Sequence, residues 1–409
     1  MLSASRPDAK QRSQLHGRLS EVCAQAANLL QCADVLLLFT GAGFSADSGL
    51  AVYDDVAKVK AYAERELDYM DLCDPKLVHQ EPPLFWGFWG QCFNDYRKTA
   101  PNKGYEIIRN WVEKRFRHSE VATRIRSRLA SSQAPERSYV SFDDVSAEPY
   151  LITSYAGAFY IFTSNVDAHH YDWFLPNEIR ECHGNTELYQ CSFGRARCGP
   201  GIWRAPLDFG FNVDTSRMLA FADEPPVRGE SSANAGLTAA AVPHVGSVHG
   251  SCRTTTLRHM PESLTPAHLV ERGFVGNHPR CIRCRGPARP AILMFGEWGD
   301  RDWLDSQDQA NRWTAYLQAL GEEAAEAKGL RCVLLEIGAG GRVPTVRETS
   351  EQILEILLDG GADATMIRIN PDYPLPDNEI FCEGNLFAGK IISVLGSGLH
   401  CLNMIDALM

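Results

Sequence analysis

Two sets of residues in this sequence have the types and the spacing for chemistry. Cys281 and Cys284 form a C-x-x-C pair followed by Gly286, a tight knuckle from which two thiolates can reach one tetrahedral Zn²⁺. Cys191 and Cys198 supply a looser second half, with six residues between them where about two to four are usual; Cys182 and Cys252 stand in reserve. Four thiolates leave no open coordination position, so such a zinc orients structure and takes no part in reaction. A redox role suits the pair poorly, because no thioredoxin-like βαβ unit surrounds it. Unligated thiols are the plainer alternative. The second set is the turn Gly41-Ala42-Gly43-Phe44-Ser45-Ala46, directly after an apolar run. Gly41 permits a tight turn, Gly43 lets the backbone approach a pyrophosphate, and Ala46 is small enough for close helix packing. The chemistry indicated is dinucleotide binding, with a purely structural turn as the alternative.

The elements that must position these residues are legible as periodicity. Apolar, β-branched and aromatic stretches at 34–40, 158–163, 291–296, 332–338 and 364–370 read as buried strands. Helical patterns at 15–30, 103–117, 305–327, 345–358 and 385–395 lie between several of them. The expected fold is α/β, a Rossmann-like doubly wound parallel sheet built from residues 1–183 and 291–409, with a small zinc-binding module inserted at 184–290. The insertion is rich in Gly, Pro and Ser, and with Cys182 at its edge it holds six of the thirteen cysteines. Residues 225–241 read as a loop and 118–136 as a charged surface helix. No second strand ending in Asp or Glu follows the glycine turn at the dehydrogenase spacing, which disfavours hydride transfer. An aromatic cluster, Phe85 to Tyr96, comes instead and is expected to pack against the core.

Bulk properties bound the rest. A chain of 409 residues, 44% hydrophobic and 22% charged, can bury two or three domain cores. No signal-peptide pattern and no membrane-length apolar run occur, and an odd number of cysteines argues against a disulfide scaffold. The expected setting is intracellular, cytoplasmic or nuclear. A formal charge of −11 makes direct nucleic-acid binding unlikely and favours basic peptide partners.

With these residues in view the sequence resembles the sirtuin (silent information regulator) family, as a divergent member. Gly41, Ala42, Gly43, Ser45, Ser48 and Gly49 match the family's G-A-G-x-S-x-x-S-G, and Tyr53 stands for its Phe. Asp54 stands where the family has a cofactor-holding arginine. Asn165, Asp167 and His170 match T-Q-N-[IV]-D-x-L-H, with Ser164 for Gln; residues 289–297 resemble R-P-x-V-V-x-F-G-E. Gly338, Ala339 and Gly340 stand for a Gly-Thr-Ser turn, and Asn370 for the asparagine of an Ile-Asn pair.

The resemblance implies NAD and structural Zn²⁺ as cofactors, with NAD contacting Gly41, Ala42, Gly43, Ser45, Tyr53, Ser164, Asn165, Asp167, Gly338, Ala339 and Asn370. It gives Asn165 a place at the nicotinamide ribose, Asp167 the carboxamide, and His183, in its His-Gly pair, the role of general base. A second pair, His249-Gly250, lies too far along the chain, and His169, His170 and His244 read as structural. The implied function is NAD-dependent deacylation of lysine in a protein or peptide, yielding nicotinamide and O-acyl-ADP-ribose. Transfer of ADP-ribose to protein or to water is the alternative, and NAD sensing without turnover a third.

Overall fold

The computed structural model describes residues 6–52, 59–132, 154–199, 201–229, 265–297, 303–327 and 329–409. Tyr53, Asp54, Cys252, His244, His249 and most of 225–241 lie outside them. The described strands are β1 (Val35–Thr40), β2 (Phe159–Thr163), β3 (Ile179–Glu181), β4 (Gly184–Cys191), β5 (Ile202–Arg204), β6 (Phe209–Gly210), β7 (Val227–Arg228), β8 (Ala288–Ile292), β9 (Arg331–Ile337), β10 (Asp363–Ile369) and β11 (Ile391–Val394).

Six of them form one parallel sheet in the order β11-β10-β9-β1-β2-β3. Every residue of β1 and β2 is buried, as expected of continuous apolar strands covered by helices on both faces. Strand β1 pairs with β2 on one side, Leu37 opposite Tyr160, and with β9 on the other, Leu37 opposite Leu334. The chain therefore leaves β1 in one direction across the sheet and returns on its other flank. The crevice beyond the carboxyl ends of β1 and β9 is the topological switch point, where such sheets bind ligands. The sheet is Rossmann-like, and the helices Leu19–Cys32, Lys103–Trp111, Gln307–Glu326 and Thr345–Asp359 run near the expected spans.

Two elements differ from expectation. Residues 385–395 are a turn leading into β11, not a helix. Their last apolar residues, Ile391, Ile392 and Val394, are buried in a strand paired with β10. Strand β8 does not join the parallel sheet; it pairs antiparallel with β4 in a three-stranded sheet ordered β5-β4-β8. A short apolar run does not say which sheet it enters.

Hydrophobic side chains gather in two cores. One surrounds the parallel sheet. The other joins the helix Pro82–Lys98, through Phe85, Trp86, Phe88 and Phe93, to Tyr189, Trp203 and Phe274 of the 184–290 region. Trp86 stacks on Phe211 with ring centroids 5.1 Å apart, so the aromatic cluster packs as expected, against this second core.

Candidate active site and zinc centre

The glycine turn ends β1 and meets the turn that ends β9. Gly41 N donates to Ile337 O at 3.0 Å and Gly43 N to Gly338 O at 2.9 Å. A Cβ on Gly41 would lie 2.7 Å from Ala339 Cα, and one on Gly43 would lie 2.7 Å from Gly338 Cα. Gly338 has φ +66°, where side chains are strained. These glycines are thus required by the packing of one loop on the other, as well as leaving bare backbone toward the crevice.

At the end of β2 the chain turns sharply, with Ala168 in the left-handed region at φ 59°. Just before it, Asn165 and Asp167 reach the glycine turn through Ser45. Ser45 Oγ donates to Asp167 Oδ2, and Asn165 Nδ2 donates to Ser45 Oγ at 3.0 Å. Asp167 Oδ1 accepts from His169 N at 2.9 Å. Burial alone would raise the Asp167 pKa, but His169 beside it and the Ser45 hydroxyl outweigh that, and the carboxyl is held below its ordinary value. Below it, Thr40 Oγ1 lies 2.7 Å from Thr163 Oγ1 and 3.1 Å from His170 Nε2. Burial pulls the His170 pKa down to about 4, so that imidazole is neutral and structural.

His183 follows β3 and precedes β4, and its carbonyl accepts from Leu293 N at 3.0 Å, just past the end of β8. Burial, then the neighbouring Arg180, bring its pKa down to about 4, so it too is neutral at pH 7. The carboxyl of Glu181 on the same strand end accepts from Asn185 Nδ2 at 2.7 Å and Tyr171 Oη at 3.1 Å; burial nonetheless pushes its pKa up to about 7. Asn185 Oδ1 in turn accepts from Glu187 N and Leu188 N, which fixes the start of β4 beyond the histidine.

One cavity of ≈ 880 Å³ opens at this end of the sheet. Gly41, Ala42, Gly43, Ser45, Ser164, Asn165, Asp167, His183, Gly338, Ala339 and Asn370 all line it. Tyr53 lies outside the described residues. Asn370 Nδ2 donates to Ala339 O at 2.8 Å, joining the ends of β10 and β9. Whether a dinucleotide suits these residues is tested by their leftover capacity. Asn165 Oδ1 is buried without a hydrogen-bond partner, an acceptor that a ligand hydroxyl would satisfy, and the glycine loops offer backbone free of side chains. The residues fit NAD.

Sequence reasoning missed what braces the nucleotide end. Arg347, fully buried, binds Asp377 through Nε at 2.6 Å and donates to Tyr373 O at 2.7 Å and Leu375 O at 3.0 Å. Arg368 binds Glu336 at 2.7 Å and Glu351 at 2.7 Å. Arg6, from the N-terminal segment, lies 4.7 Å from the Tyr373 ring centroid and reaches the cavity. Charged residues inside apolar-looking strands, such as Glu336 and Arg368, were the available signal.

The four cysteines meet as the sequence suggested. Cys191, Cys198, Cys281 and Cys284 place their Sγ atoms within 4.8 Å of one another, with Cys191 to Cys284 at 3.7 Å and Cys281 to Cys198 at 3.8 Å. Tetrahedral zinc with Zn–S of about 2.3 Å sets S–S edges of about 3.8 Å, so the cluster fits zinc. Around the knuckle, Arg285 takes φ 63° and Arg283 N lies 3.4 Å from Cys281 Sγ. A Cβ on Gly286 would strike the Phe193 ring at 2.6 Å. The cluster lies in the second core, outside the cavity wall.

Over 85 residues, 21% of this chain and 33% of the relative, the sequence is 31% identical to an NAD-dependent protein deacylase of Deinococcus radiodurans. The match agrees with the sirtuin resemblance of the sequence. The chain spans about a third of that relative's length in the match. Similar solved structures include a Sir2 homologue in complex with NAD, at 14% identity and TM-score 0.46 over 94% of this chain and 93% of that one. A Sir2 bound to acetylated peptide is similar at 13% identity and TM-score 0.43, over 93% and 94% of the two chains. No family model matches the chain.

Proposed function

We propose that the protein is an NAD-dependent protein-lysine deacylase. The observation that carries the reading is the meeting of Asn165, Asp167 and His183 with both glycine turns on a single cavity at the sheet's switch point. Gly41, Gly43, Gly338, Ala339 and Asn370 bind the phosphate and adenosine side through backbone and amide groups. Asp167, ionised, accepts from a carboxamide N–H, and Asn165 offers Oδ1 to a ribose hydroxyl. His183, neutral, takes a proton from a ribose hydroxyl on a ring nitrogen and later returns it. Bound NAD supplies a ribose carbon made electrophilic by the departure of nicotinamide. The partner is an acylated lysine of a protein or peptide, entering beside 292–297. Cytoplasm or nucleus suits the thiolate cluster, because a reducing compartment keeps it available to metal. Among the described residues no helix is long and apolar enough to cross a membrane.

The test is nicotinamide release from NAD by purified protein, with and without acylated lysine peptides, while peptide mass is followed. Release that needs the peptide and strips its acyl group establishes the deacylase. Release without peptide supports the second reading, ADP-ribose transfer to protein or water, which Ser164 in the place of Gln favours. No release in either arm leaves a sensor. His183→Ala is expected to lower the peptide-dependent rate by about 100-fold or more, and an unchanged rate removes the histidine from the mechanism.

A further inference from the structure

His183 sits in a short loop whose two ends are bonded to each other. Glu181, the last residue of β3, accepts Asn185 Nδ2 on its Oε2 at 2.7 Å and so closes the loop Glu181-Cys182-His183-Gly184-Asn185. Gly184 has φ +71°, and a Cβ there would strike Ala291 O of β8, so the loop has no slack on that side. The same Oε2 accepts from Tyr171 Oη at 3.1 Å. Tyr171 belongs to the turn His169–Asp172, which is tied to Asp167 where His169 N donates to Asp167 Oδ1 at 2.9 Å. Glu181 therefore joins the histidine loop to the turn that follows Asp167.

The helix Gln307–Glu326 holds β3 as well. Gln309 Oε1 accepts from Glu181 N at 2.8 Å, while Gln309 Nε2 donates to Tyr171 Oη at 3.2 Å and lies 3.5 Å from Glu181 Oε2. Just before the helix, Asp305 accepts from both terminal nitrogens of the neighbouring Arg180, at 2.6 and 2.5 Å, which directs that cation away from Glu181. Tyr171, Glu181, Asn185 and Gln309 are all buried. The donors on Glu181 Oε2 are thus a phenol and two amides. Burying a carboxyl among neutral donors costs stability that a hydrocarbon of the same size would not. What it supplies is direction, with donors from three elements converging on one oxygen.

We infer that Glu181 is a positioning residue for the base, holding the His183 loop in register with the Asp167 turn through Asn185, Tyr171 and Gln309. The inference rests on the deacylase reading, in which Asp167 fixes the nicotinamide end of the cofactor and His183 must meet a hydroxyl of the attached ribose. Proton transfer needs hydrogen-bond reach, about 2.6–3.2 Å between heavy atoms, and a displacement of about 1 Å can cost about 100-fold in rate. Loosening Glu181 leaves both groups present and blurs the distance between them. It lowers turnover and leaves cofactor and peptide affinity as they are.

The test is a double-mutant cycle on the full chain with NAD and an acetyl-lysine peptide, followed by peptide mass, under single-turnover conditions for the slow His183→Ala variants. Wild type that binds ADP-ribose and strips no acyl group sinks the deacylase reading and the inference with it. Glu181→Gln, which keeps the volume, is expected to lower kcat about tenfold, with KM for NAD and for peptide unchanged within about twofold. In the His183→Ala background the same change should alter the residual rate by less than about twofold, because a residue acting through the histidine has nothing left to position. An equal loss in both backgrounds shows that Glu181 acts on the site at large and overturns the inference. An unchanged kcat beside an intact histidine overturns it too, and either result leaves the deacylase standing. If Glu181→Gln does not bind ADP-ribose, Tyr171→Phe, which removes a single donor, takes its place, with an expected loss of about threefold in kcat and the same dependence on His183.

Discussion

Ser45 is the atom-scale junction of the site, since its hydroxyl donates to Asp167 and accepts from Asn165. Ser45→Ala should raise the Asp167 pKa and weaken NAD binding roughly tenfold, the worth of about one hydrogen bond to a charged group, measurable by calorimetry. Buried His170 gives a pH signature. The folded-state pKa of His170 is near 4, below its ordinary 6.5, so its contribution to stability is present above pH 6.5 and is lost as pH falls toward 4. Glu181 acts oppositely: its pKa is raised to about 7, so stability present below its ordinary value is lost as pH rises through 7. Comparing wild type with His170→Gln isolates the first effect. In urea titrations the wild type should lose about 2 kcal/mol more than the variant between pH 7 and pH 5, and parallel curves would contradict the assigned shift. Asn165, Asp167 and His183 were readable because each sits in a local motif beside a strand end. The Ser45 to Asp167 bond was not, because it spans 122 residues and joins the turns after two different strands.

Among the elements, the paired turns after β1 and β9 carry the most constraint. Gly338→Ala would combine a left-handed φ with a Cβ 2.6 Å from Gly43 Cα. It should lower stability by about 2 kcal/mol or more and abolish ADP-ribose binding, whereas Gly340→Ala, with open space around its Cβ, should be nearly silent in thermal melts. The strands of the parallel sheet from β1 to β10 were legible because they are buried on both faces, except β3, three residues long, which is too short for a periodic signal. Strand β8 and the 385–395 segment were misjudged for a related reason: an apolar run of four or five residues states burial and leaves partner and even period open. The cysteine pairs were legible despite their loose spacing because metal geometry is restrictive. Purified protein should hold one zinc per chain by elemental analysis, and Cys281→Ser should lose it with a fall in melting temperature.

For the whole molecule, the buried ion network under the nucleotide end acts as one unit. Arg347→Met would strand Asp377 and release Tyr373 and Leu375 from the helix Thr345–Asp359. The expected loss is about 3–5 kcal/mol in equilibrium unfolding, together with weaker ADP-ribose binding; a loss under 1 kcal/mol would show the pairs to be replaceable. The four-cysteine cluster lies outside the cavity that His183 lines, yet two strands join them. Strand β4 starts at Gly184, next to the histidine, and ends at the ligand Cys191; β8 begins four residues after the ligand Cys284 and ends beside the His183 carbonyl. Together they form a two-bar linkage roughly 13 Å long, with the four-cysteine cluster at one end and His183 at the other. A chelator would then act as a brake applied at a distance, loosening the base's alignment while the parallel sheet that grips the nucleotide stays whole.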